Sequence, residues 1–200
     1  MSVTATTPRI GSRARAFSAL AGALGLIAWI IFFANYTVIG LSGYEWIHTA
    51  LLLFFMAALV AVGVAVVLVS RETAVKPVRI TAFLVLVAAL VRAVFAGMEI
   101  FTPPEGEGSH IANTAFFTLV FFWMLTVGFA HTTPNSPGKD TRNLAIIVAI
   151  AGLLGTATIE IAPFMPDPAN SLLQTGSLLL LTASFTGLPL WWLLVGLRGR

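Results

Sequence analysis

Six apolar runs dominate the chain, at about residues 17–39, 46–69, 78–101, 110–131, 143–163 and 170–197. Each is long enough, at roughly 20 residues, to cross the hydrocarbon core of a bilayer as a helix. A soluble fold could not bury them all. Hydrophobic residues fill 58% of the 200 positions and charged residues only 10%, whereas a soluble domain carries about a quarter charged residues. In lipid a backbone must satisfy its own hydrogen bonds, which leaves helices or closed barrels. The period-two alternation of a barrel strand is missing from these runs. The sequence therefore predicts an all-α, polytopic integral membrane protein, a bundle of six transmembrane helices forming one domain over residues 1–200.

The breaks between runs are short and rich in turn formers, as in "TPPEGEGS" (102–109) and "TTPNSPGKD" (132–140). Charge divides cleanly between them. Ten of the eleven Lys and Arg residues fall on one side: Arg9, Arg13, Arg15, Arg71, Lys76, Arg79, Lys139, Arg142, Arg198 and Arg200. The opposite loops hold Glu105, Glu107 and Asp167, with Glu45 at a helix mouth. The positive-inside rule then places both termini in the cytoplasm, N-in/C-in. This asymmetry accounts for an isoelectric point near 10 without invoking nucleic acid, and no nucleic-acid partner is expected. Arg13 and Arg15 ahead of an apolar run also fit a secretory signal. That run continues to about residue 39 without a small-x-small cleavage pattern, so a retained first helix is expected. Ala- and Val-rich spans with short loops fit the inner or plasma membrane of a prokaryotic cell.

With that orientation, position along the chain becomes depth. Tyr36 ends the first span, and Glu45 and His48, three apart, open the second. Glu99 closes the third, His110 and Asn113 open the fourth, Glu160 closes the fifth, and Asn170 and Gln174 open the sixth. All of these lie in the outer third of the membrane, while the inner halves of the spans are almost purely apolar. Arg92 is the exception. It sits deeper, seven residues or two turns from Glu99, and so on the same helical face about 10 Å away. Exposing an arginine to mid-membrane lipid costs at least about 2.5–3.5 kcal/mol, so Arg92 is expected to point into the bundle and snorkel outward. The expected network joins Arg92 to Glu99 and Glu160, edged by His48, His110 and Tyr36.

Other residues carry architectural expectations. Trp46 at the outer boundary and Trp191 and Trp192 near the inner one fit interfacial aromatic belts. The small residues of "SALAGALG" (18–25) and "AGLLGTA" (151–157) permit close helix packing. Pro189 is expected to kink the sixth span.

Three functional readings follow. The first is an outward-facing polar pocket that binds or transports a lipidic or amphiphilic small molecule, cationic ones included. Arg92, His48, His110, Tyr36, Asn113, Gln174 and Glu45 would line it. The second is a membrane enzyme that uses Glu99 and Glu160 as general acid and base on a lipid or terpenoid-like substrate. The third is a structural accessory subunit, in a homo-oligomer or larger membrane complex, whose Arg–Glu pair only sets helix register. Membrane lipids are partners in every case. The absence of cysteine excludes disulfides, thiolate metal sites and cysteine nucleophiles. Haem or metal would need His48 and His110 face to face, no metal-site spacing such as HExxH is present, and no cofactor is expected.

Overall fold

The computed structural model describes residues 10–34, 45–73, 75–102, 107–130 and 138–198, with Glu45, Glu107 and Arg198 described for their backbone alone. Tyr36 lies outside the described residues. Six helices carry the chain: α1 (Ser12–Phe33), α2 (Glu45–Thr73), α3 (Lys76–Glu99), α4 (Glu107–Phe129), α5 (Lys139–Ile161) and α6 (Ala169–Arg198). A 3-10 turn, Ala162–Phe164, extends α5. All six helices are long and apolar enough to cross a membrane, as befits a multi-pass membrane protein.

Each helix packs antiparallel against the next in sequence, and α1 closes on α6, so the bundle is a ring. One end gathers Arg13, Arg15, Arg71, Lys76, Arg79, Lys139 and Arg142 and is called the basic end below. The other, where α3 and α5 finish and α4 and α6 begin, is the acidic end.

Residue size decides how the ring fills. The odd-numbered helices present buried stripes of mostly small residues with alternating spacings of three and four: Ala14, Ser18 and Ala21 on α1, Val78, Ala82, Val85, Ala89 and Ala96 on α3, and Thr141, Ala145, Val148, Gly152 and Gly155 on α5. The even-numbered helices supply the bulk. Phe55 of α2 stacks on Phe117 of α4, and Phe117 lies 4.7 Å, ring to ring, from Phe185 of α6. Towards the basic end Trp123 of α4 stacks on Trp192, with Trp191 edge-on to both. Trp123 donates its indole N–H to Ser70 Oγ (2.8 Å), and Trp191 donates to the Thr141 carbonyl (2.7 Å). Aromatic rings thus fill the centre of the ring.

One expectation changes here. Trp191 and Trp192 are fully buried at 0% exposure and form the core, not a belt; only Trp46, 68% exposed, stands on the surface as expected. Period alone could not separate these cases, because a tryptophan near a helix end suits either an interface or a gap between helices. Pro189 lies inside α6, with helix on both sides of it.

The close approach of α1 and α6 depends on glycine on both helices, Gly196 of α6 against the Ala19 nitrogen (2.6 Å from an added Cβ) and Gly22 of α1. A Cβ added at Gly22 would lie 2.7 Å from both the Leu193 nitrogen and the Pro189 carbonyl oxygen, so backbone would have to move. Gly22→Leu is expected to cost at least the ~1–3 kcal/mol typical of overpacking, read as a lowered thermal midpoint of the detergent-purified protein. Gly176→Ala, with nothing within 4 Å of the new methyl, is the control. It should hold or slightly raise the midpoint, by up to ~1 kcal/mol of helix propensity.

Candidate polar site at the acidic end

Arg92 occupies the α3 stripe between Ala89 and Ala96, so docking of α3 buries it, at 6% exposure. A cation held there must be paired. Its Nη1 donates to Glu99 Oε1 at 2.9 Å and its Nη2 to Glu99 Oε2 at 3.3 Å, a two-pronged pair between residues two turns apart. Its Nε donates to Asn113 Oδ1 of α4 at 3.3 Å. The guanidinium also lies over the Phe55 ring, 5.1 Å from the centroid, where the ring face favours a cation. Ser109 of α4 donates its hydroxyl to Glu99 Oε1. Charge and hydrogen-bonding capacity are both largely met within this group.

A second group lies on the next edge of α4. His110 Nε2 is 3.1 Å from Glu160 Oε1 of α5, and Thr114 Oγ1 donates to the same oxygen at 3.5 Å. This pair is open: the His110 side chain is 68% exposed and that of Glu160 46%. α4 therefore separates the two carboxylates. Ser109 and Asn113, four apart, serve Glu99, while His110 and Thr114, also four apart, serve Glu160.

Set against expectation, the structure brings together Arg92, Glu99 and Asn113, and separately His110 and Glu160. It does not join Arg92 to Glu160, because Glu160 reaches His110 from α5 instead. His48 is exposed on α2 and Gln174 exposed on α6, and neither side chain hydrogen-bonds to either group. Glu45 begins α2, but its side chain, like Tyr36, lies outside the described residues. Asn170 of α6 keeps a buried Oδ1 without a partner. Ser109, Thr114 and Phe55 were not anticipated. The polar ones were readable in principle, since "SHIANT" (109–114) contains two i,i+4 polar pairs one residue out of step. Among the described residues no three His, Asp or Glu side chains converge as metal ligands, and His110 is engaged by Glu160, with His48 on another helix.

No family model, curated protein or solved structure matches the chain.

Removing one member of a buried pair leaves the other charge without compensation, at about 3–5 kcal/mol. Arg92→Met and Glu99→Leu are each expected to lower the stability of the purified protein by that order. The double variant Arg92→Met/Glu99→Leu should lose less than either single change. A double loss equal to the sum of the singles, in thermal or denaturant unfolding, would mean that the pair is not coupled.

Proposed function

We propose that the protein sits in its membrane with the basic end and both termini cytoplasmic, and that the acidic end binds an amphiphilic small molecule from the outer leaflet through Glu160. The cytoplasmic placement rests on the positive-inside distribution of Lys and Arg. The observation that carries the binding reading is the contrast between the two carboxylates. Glu99 is held by Arg92 and Ser109, whereas Glu160 is half exposed with only neighbouring His110 and Thr114. A carboxylate left accessible beside apolar helix surface suits a ligand with a hydrocarbon chain and a cationic or hydrogen-bond-donating head. Large apolar side chains flank it, Ile161 and Ile111 among them. The filled aromatic centre favours binding at the end of the bundle over passage through its middle. Arg92, Glu99, Ser109 and Asn113 then brace α3 against α4 and hold the His110 edge in place.

A second reading, a structural accessory subunit, is favoured by the Arg92 group itself, whose internal satisfaction is what helix-register glue requires. General acid–base catalysis by Glu99 is disfavoured on the same ground, because its oxygens already accept from three donors.

The reading is tested by calorimetric titration of the protein in nanodiscs with a long-chain primary amine and with the uncharged alcohol of equal chain length. The amine should bind more tightly. Glu160→Gln should weaken amine binding about fivefold, as expected for one partly solvated charge contact of ~1 kcal/mol, and leave the alcohol unchanged. Equal binding of both probes, or an unaltered amine affinity in Glu160→Gln, would leave the structural reading in possession.

A further inference from the structure

The charges of the odd-numbered helices run against their own dipoles. α1, α3 and α5 all begin at the basic end, where unbonded first-turn N–H groups carry a partial positive charge. Yet the fourth residue of each is an arginine, Arg15, Arg79 and Arg142, and α3 and α5 open on Lys76 and Lys139. No acidic residue offsets them in the first turn of α1 or α3, and only Asp140 does in α5. At the acidic end Glu99 and Glu160 are equally misplaced, in the last turns of α3 and α5, but there Arg92 and His110 answer them. Among the described residues both salt bridges lie at the acidic end, and Glu72 is spent on the Gly11 backbone N–H at 2.8 Å.

The three arginines share a register on alternate helices of a closed ring, so they mark three points around one rim. Arg79 donates to the Arg71 carbonyl (3.1 Å) and Arg142 to the Ala130 carbonyl (3.0 Å), contacts that orient the side chains without neutralising them. The Nε atoms of Arg15 and Arg142 are enclosed by protein and have no acceptor. Among the described residues the rim carries more positive charge, on Arg15, Arg79, Arg142, Lys76 and Lys139, than the carboxylates of Glu72 and Asp140 balance.

We propose that this rim binds the phosphodiester headgroups of anionic phospholipids. Guanidinium donors match phosphate oxygens in geometry and charge. Cations at the ends of membrane-crossing helices sit at headgroup level, where anionic lipids attract them. The bound phosphates supply the negative charge that the first turns of α1, α3 and α5 do not carry themselves. This interaction is independent of whatever the acidic end binds.

The test uses the full chain purified in neutral detergent and offered phosphatidylglycerol, phosphatidylcholine or inorganic phosphate in separate titrations. Retained lipid is read by native mass spectrometry and stabilisation by thermal midpoint. Phosphatidylglycerol should be retained about tenfold over phosphatidylcholine and should raise the midpoint. The triple variant Arg15→Gln/Arg79→Gln/Arg142→Gln should lose most of that preference, and the corresponding triple change to Lys should keep it in large part. Equal retention of the two lipids, an undiminished preference in the triple Gln variant, or an equal midpoint shift with inorganic phosphate alone would each overturn the proposal. Should the triple Gln variant fail to fold, Arg79→Gln at its exposed position decides: a two- to threefold loss of preference supports the rim, and no loss overturns it.

Discussion

Helices in lipid gain little from hiding apolar surface from one another, because the lipid tails are as apolar as the partner helix. Contact area and interhelical hydrogen bonds must hold them together. In this protein the contact comes from matching small residues to large ones. Stripes of Ala, Gly, Ser and Val on α1, α3 and α5 let those helices approach closely, while Phe and Trp from α2, α4 and α6 reach across and fill the middle. The closed ring follows from that division.

The same stripe explains the buried cation. Arg92 stands where α3 otherwise presents Ala or Val, so packing α3 carries the guanidinium inside regardless of its charge. Glu99 then has a definite task, because a two-turn spacing brings its carboxylate within reach of the extended arginine. Asn113 and Ser109 complete the set from α4, and Phe55 covers one face. Of Glu99 and Glu160, Glu160 is the one left accessible, which makes it the centre of the binding proposal.

Much of this was legible beforehand. Long apolar runs separated by short turn-rich breaks identify six helices because lipid leaves the backbone little alternative, and boundaries differ by a few residues except at the start of α1, where the helix begins at Ser12; the expected end of the first span, at about residue 39, lies outside the described residues. The inward turn of Arg92 and its pairing with Glu99 follow from desolvation cost and helical period. The role of Glu160 does not. Depth along the chain groups it with Arg92, but depth says nothing of angle around the helix, and α4 stands between the two groups. Trp191 and Trp192 fail for a related reason: a terminal position suits an interfacial belt, yet facing residues on α4 and α5 drew them into the core.

What the sequence alone determined, then, is one-dimensional: which segments are helical, how deep each polar residue lies and which end gathers the positive charge. These follow from local rules of hydropathy, backbone hydrogen bonding and turn chemistry. Tertiary structure decided the angular part, namely which faces meet. Neighbouring residues on a helix point about 100° apart, so Ser109 and His110 answer different carboxylates although they adjoin in the chain. The choice was made by how small and large side chains interlock around the ring, a property of all six helices together.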